Sequence, residues 1–321
     1  MTYEASLIIT GGTAGLGYYA ARNIAEAHPE YLVVLASRTD GDGAADRINA
    51  ELGQANTIFI PLDLSDLSNV RKYAEGWASA HHPPIRALLL NAALLIPGAM
   101  QTNADGIEKT FAIGHVGNVA LFHLLVPHLA RDARVIVTSS GTHDPAQTTG
   151  MPSPVYGTAE GLAHPAGAAV RIPGWQRYPT IKLCNVLWTY ALHRRLSRHA
   201  AGRGITVNAI DPGLMPGTGL GRDAFWLLRL FWQHIFPRII PLARLIMPNI
   251  HTPVESGKGL ARLAVAEDVE GVSGRYFEGW KEIKSSRDSY DESKQEDLWE
   301  WTVAYLSNGL GAEKRRFEEF T

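Results

Sequence analysis

A tyrosine and a lysine four residues apart carry the clearest chemistry in this chain of 321 residues. They are Tyr178 and Lys182, in the stretch QRYPTIKLCNVLWTYALHRRL at 176–196. On a helix that spacing stacks both side chains on one face. A phenol titrates near about 10, and a close ammonium favours the phenolate. Such a pair can give or take a proton near neutral pH, which a lone tyrosine does poorly. The spacing recurs at Tyr290 and Lys294, in a strongly charged C-terminal segment that reads as solvated surface. Only the first copy follows a glycine-rich turn and an apolar run ending in Ser139-Ser140.

The elements that must position this pair alternate along the chain. Residues 6–10, 31–36, 57–61, 87–90, 134–138 and 205–210 read as short apolar strands, with 274–277 as a seventh. Helical patterns fall at 17–27, 70–80, 105–129 and 180–199. Strands separated by helices predict an α/β fold, a Rossmann-type doubly wound parallel sheet of about seven strands with helices on both faces. The whole chain, 1–321, reads as one domain. Two segments break the rhythm: 141–175 is rich in Pro and Gly, and 214–251 is apolar and aromatic. Both follow strand ends on the side where such sheets bind ligands, so both are expected to wall a substrate pocket. Phe225, Trp226, Phe231, Trp232 and Phe236 would give that pocket an apolar lining for a bulky substrate.

Composition narrows the classes. A formal net charge of −2 gives no reason to invoke nucleic acid. The single cysteine, Cys184, excludes an internal disulfide and suits a reducing compartment, so a cytoplasmic location is expected. The N-terminus lacks a basic n-region, and no signal peptide is expected. Within 224–247, Arg229, His234, Arg238, Arg244, Pro237 and Pro241 interrupt an apolar stretch, which argues against an integral span. A lid or a helix skimming a membrane surface stays open there. The twelve histidines are scattered without partners at ligand spacing, so no metal site is expected.

The sequence TGGTAGLG at 10–17 joins the first strand to the first helix. Gly11, Gly15 and Gly17 permit a tight turn and close backbone approach, with the helix N-terminus facing a pyrophosphate. A second strand ends about twenty residues on, which is the context this motif requires. That strand ends in Ser37 and Arg38 where a carboxylate would bind a ribose 2′-hydroxyl. Nothing there repels a 2′-phosphate and Arg38 can pair with one, which favours NADP(H) over NAD(H).

With these pieces in order, the chain resembles the short-chain dehydrogenase/reductases from about residue 6 to about residue 306. The matching pieces are Thr10–Gly17, Asp63-Leu64, Asn91-Ala92-Ala93, Ser139-Ser140, Tyr178-x-x-x-Lys182 and Asn208-x-x-Asp211-Pro212-Gly213. The resemblance implies that Thr13 and Leu16 join the glycines at the dinucleotide, with Asp63 and Leu64 beside the adenine. Asn91, with Ala92 and Ala93, would steady sheet and cofactor. Pro212, Gly213 and Met215 would border the nicotinamide. By the same likeness Ser140 holds the substrate oxygen, Tyr178 moves the proton and Lys182 binds the nicotinamide ribose. Thr142, His143, Trp226 and Trp232 would touch a small-molecule substrate, and relatives often form homodimers or homotetramers. Hydride transfer to a carbonyl creates an alkoxide, so donors such as Ser140 and Tyr178 must already face that oxygen. The nicotinamide carries the hydride while the protein supplies orientation and charge.

One position departs from the family. Many members carry an Asn that helps hold a relay water beside the Lys, and here that position is Gly114. Asn118 or His115 stands close by in sequence. Within the family, Lys182-x-Cys184-Asn185 and Glu255-Ser256-Gly257-Lys258 resemble the retinol-dehydrogenase and light-dependent protochlorophyllide-reductase branch. The expected reaction is NADP(H)-dependent carbonyl/alcohol interconversion. One alternative is C=C reduction on a tetrapyrrole-like substrate with Cys184 near the pigment. Cys184 sits about 200° around the helix from Lys182, so a buried structural thiol is the favoured reading. A second alternative, motivated by Gly114, is a catalytically idle NADP(H)-binding sensor.

Overall fold

The fold is a computed structural model that describes residues 3–199, 203–216, 236–244, 247–308 and 314–320. Eight strands form its sheet: β1 Ala5–Thr10, β2 Tyr31–Ser37, β3 Thr57–Pro61, β4 Ile85–Leu90, β5 Leu129–Thr138, β6 Thr206–Asp211, β7 Arg275–Glu278 and β8 Lys281–Ile283. They pair in the order β3-β2-β1-β4-β5-β6-β7-β8. All neighbours up to β7 run parallel, and only β8 returns antiparallel. The eighth strand exceeds the seven expected because its three residues, KEI, carry no apolar pattern to announce it. The doubly wound single-domain arrangement is otherwise the expected one.

Strand residues alternate between two cores, as the pleat requires. Ile8, Leu88 and Leu90 pack into one layer, and Leu7, Ile9 and Leu89 into the other. Each such aliphatic side chain, fully buried, contributes about 1.5–3 kcal/mol. Helices α1 Gly15–Ala27, α2 Ala44–Leu52 and α3 Leu67–Ser79 are followed by α4 Lys109–His128, α5 Gly174–His199, α6 Pro253–Val265 and α7 Glu292–Ser307. α1, α2 and α6 cover one face; α3, α4, α5 and α7 cover the other.

Several boundaries moved for local reasons. α2 carries no motif, but the Asp40 carboxylate accepts from the first helical amides, Ala44 N at 2.6 Å and Ala45 N at 3.3 Å. α4 starts at Lys109 rather than 105, where Glu108 caps the Phe111 amide at 2.8 Å. Its turn at Ala112–Val116 is a π-turn. α4 is long and apolar enough to cross a membrane, yet it is buried inside the fold. α5 begins at Gly174, ahead of Pro179, which removes one main-chain donor near the helix start without ending the helix.

Thr252 and Glu255 form a capping box on α6. Trp299 is buried against Trp188, and the Trp301 indole donates to Glu160 at 2.6 Å. Cys184 is fully buried, and burial pushes its thiol up. Tyr290 is half-exposed, and Lys294 pairs with Asp288 at 2.7 Å, so the second Tyr/Lys copy is surface.

Candidate active site

The C-terminal ends of β1, β2, β4, β5 and β6 open into one cleft of about 1100 Å³. Residues 10–17 turn out of β1 with Gly11 at φ 68° and Gly15 at φ 53°, values an L side chain rarely adopts. The residue before α1 is Ala14, which offers no side-chain cap, so the first amides of a 13-residue helix are left open to the cleft. That is the geometry that takes a phosphate. At the end of β2 the Ser37 hydroxyl is buried without a protein partner, and Arg38 is exposed on the same cleft. This donor set fits a dinucleotide carrying an extra phosphate.

A side-chain network fixes that half of the cleft. Thr10 Oγ1 accepts from the Asn91 and Ala92 amides at 2.8 and 2.9 Å and donates to Asn118 Oδ1 at 3.1 Å. Asn91 Nδ2 returns a bond to the Thr10 carbonyl at 2.9 Å. Asn118 Nδ2 donates to the Ala92 and Ile113 carbonyls at 3.1 and 2.9 Å. Asn118 is therefore a brace between α4 and the strand ends. His115 lies buried with Nε2 on Thr302 at 2.9 Å, and burial lowers it to about 3, so it is a neutral core histidine. Neither residue lines the cleft in place of the absent Asn. Gly114 itself is pinned small: a Cβ there would sit 2.7 Å from Ile181 Cγ2.

α5 and β5 bring the proton-handling groups together. Ser140, Tyr178 and Lys182 all face the cleft. Lys182 Nζ donates to the Thr138 carbonyl at 2.9 Å and lies 5.4 Å from the Tyr178 ring centroid. Burial lowers the ammonium to about 8, opposed by the charge of Asp211. Burial raises the Tyr178 phenol, and Asp211 raises it further. This corrects the expectation of a phenol acidified by its neighbour: low dielectric and a nearby carboxylate outweigh the ammonium. The pair as it stands is a protonated phenol beside an ammonium, the donor form.

The start of α5 is anchored by a buried ion pair, Arg177 Nε to Glu108 at 3.2 Å. Arg177 also donates to the carbonyls of Ile172 and Gly98, so Tyr178 enters the cleft from a fixed backbone. No sequence motif pointed to that pairing.

The residues singled out by sequence line this cleft with a few exceptions. Gly17 lies beneath it: a Cβ there would run into the Gly11 carbonyl and come within 2.9 Å of the Asn91 amide, so it serves packing. His143 is corrected from substrate contact to structural residue. It is fully buried, with Nδ1 on the Ser140 carbonyl at 2.7 Å and Nε2 accepting the Ser286 amide at 3.0 Å. Trp226 and Trp232, with Phe225 and Phe231, lie outside the described residues. The segments 141–175 and 214–251 supply wall residues as expected, at 147–151, Trp175 and 247–249, while Asp211 is lining that no site reading had singled out. Among the described residues no group of three His, Cys, Asp or Glu could hold a metal ion.

Comparison with known proteins agrees with this construction. Residues 5–159 match the family described as short chain dehydrogenase. A WW domain-containing oxidoreductase of Gallus gallus is 31% identical over 95% of this chain and 69% of its own length. Retinol dehydrogenase 12 of Bos taurus is 29% identical over 91% of this chain and 83% of its own. Among solved structures, a short chain dehydrogenase from Burkholderia cenocepacia in complex with NADP superposes with a TM-score of 0.61 at 20% identity, covering 86% of this chain and 96% of that one. A glycine turn on β1, a buried Tyr/Lys pair on α5 and a relative 31% identical over 95% of this chain converge: this chain belongs to the short-chain dehydrogenase/reductase family.

Proposed function

We propose that the protein is an NADP(H)-dependent oxidoreductase that interconverts a carbonyl and an alcohol on a bulky, largely apolar small molecule. The observation that carries this reading is the meeting of Ser140, Tyr178 and Lys182 in the cleft that also holds the open α1 N-terminus and Arg38. The nicotinamide supplies the hydride when bound. The chain's own residues do the rest. Ser140 and Tyr178 aim donors at the oxygen where charge develops, and preformed donors stabilise that charge without reorganising. Tyr178 then gives its proton to the oxygen, and the Lys182 ammonium, steadied by Thr138, offsets the charge left on the phenolate.

Exposed Trp175 and Met247 at the cleft support an apolar substrate. Arg38 and the unpartnered Ser37 hydroxyl support the phosphorylated dinucleotide. Burial of Cys184 away from the cleft removes the support that its thiol gave to tetrapyrrole chemistry. The lone, buried thiol is in keeping with work in a reducing, cytoplasmic setting. A homodimer or homotetramer is part of the same reading.

Tyr178→Phe tests it. Turnover with NADPH over a panel of apolar ketones and aldehydes should fall by about 100-fold or more, the scale of one general acid. NADPH affinity, read by nicotinamide fluorescence, should stay within about twofold. Turnover that survives the change removes Tyr178 as proton donor. NADPH binding by the wild-type protein with no turnover on any carbonyl would instead mark a sensor.

A further inference from the structure

Asp211 ends β6 and is 2% exposed, yet neither the proton transfer nor the dinucleotide fit described above uses it. Its carboxylate collects donors from two separate segments. Oδ1 accepts the Gly213 amide at 2.9 Å, and Oδ2 accepts Asn249 Nδ2 at 2.7 Å. On the β5 side the Gly141 backbone also bonds it, and a Cβ on Gly141 would stand 2.9 Å from Oδ2. Asn249 belongs to residues 247–251, which return over the cleft and join the β6 loop in register. The Leu214 amide donates to the Asn249 carbonyl and the His251 amide to the Leu214 carbonyl, each at 2.9 Å. Residues 141, 213 and 249 all line the cleft, as do Tyr178 and Lys182.

We propose that Asp211 is a positioning residue: its ionised carboxylate latches the 247–251 wall onto the loops after β5 and β6, at the mouth of the cleft that Tyr178 and Lys182 also line. This rests on the functional reading above and adds a residue to it. An ionised carboxylate is acceptor-only and can serve three donors at once, which a side-chain amide cannot do. The ionisable groups that act on it are Glu278 and Tyr276 of β7 and Tyr178 and Lys182 of α5, and His251 reaches it only through Asn249, on whose Oδ1 its Nε2 sits at 3.1 Å. Burial, reinforced by Glu278, raises Asp211 to about 6, against the bonds from Gly213 and Asn249.

The sign follows. Reductive turnover should fall below a pH of about 6 as one carboxylate oxygen takes a proton and turns a donor toward groups that themselves donate to it. It should fall again above about 8 as Lys182 loses its own. In Asp211→Asn the acid limb should vanish, and the basic limb should move to lower pH because a charge that raised Lys182 is gone. Asn249→Ala, which spares the charge, should keep both limbs and raise KM by about fivefold or more, the loss of one charge-assisted bond. Backbone exchange needs no substrate: amides at 214 and 251 should exchange about tenfold faster in both variants. An acid limb retained in Asp211→Asn, or unchanged exchange at 214 and 251, overturns the proposal. If wild type binds NADPH but turns nothing over, the functional reading fails on its own and the exchange rates decide the latch.

Discussion

The two halves of the cleft are held by different kinds of bond. On the dinucleotide side, Thr10, Asn91 and Asn118 tie β1, β4 and α4 together through side chains far apart in sequence. On the opposite side, residues 147–151 are held by short-range turns: Gln147 N to the Asp144 carbonyl, Thr149 N to the Gln147 carbonyl, Met151 N to Thr149 Oγ1. The first half is an interlocked frame in which each polar group depends on another. The second sets these local turns, with exposed Trp175 at their edge, beside the 247–251 wall that carries exposed Met247 and hangs on Asp211 and the Leu214 backbone. A frame of the first kind preserves one geometry for one dinucleotide, whereas local turns can be rebuilt without disturbing the sheet. On the proposed function, the division would put stability on one side of the cleft and selectivity on the other.

The frame predicts the largest effect. Asn118→Ala removes the bonds to Thr10, Ala92 and Ile113, at about 1–3 kcal/mol for each buried group left without a partner, with the Leu89 carbonyl at 3.3 Å still open to the Thr10 hydroxyl. A net loss of about 3 kcal/mol should lower Tm by about 4 °C in calorimetry. A Tm within about 1 °C of wild type would show that the frame is not a frame. Arg38→Ala comes next. Arg38 is exposed, so its removal should leave Tm unchanged. NADPH should bind about 10–100-fold more weakly, the worth of a charge-assisted contact, with NADH unaffected. Equal losses for both dinucleotides would assign Arg38 to the shared part of the molecule and remove the case for NADP(H).

The same division governs what could be read from sequence. The frame is made of short patterns, TGGTAGLG and Asn91-Ala92-Ala93, whose residue types follow from backbone geometry at strand ends. Tyr178 and Lys182 were legible for the same reason, since helical spacing alone puts them side by side. The latch was not legible, because Asp211 and Asn249 are 38 positions apart and neither type announces its partner. The Arg177–Glu108 pair and the core role of His143 were hidden likewise: burial decides both, and burial is a property of the whole fold. The acidity of Tyr178 was misread because spacing gives the neighbouring charge but not the desolvation that opposes it.

The smallest expected effect probes the selective half. Thr142 lines the cleft beside Ser140, and its Oγ1 is buried without a hydrogen-bond partner among the described residues. An unpartnered buried hydroxyl costs stability unless something arrives to use it, as a substrate oxygen would. Thr142→Val keeps the shape and removes the hydroxyl. Tm should therefore hold or rise by a degree or so, since no protein bond is lost. KM for substrates bearing a second oxygen near the carbonyl should rise by about fivefold, with kcat and NADPH affinity unchanged. A substrate lacking that oxygen should show no change. A fall in Tm instead would place the Thr142 hydroxyl in the fold, on the frame's side of the comparison, and leave selectivity to Trp175 and Met247.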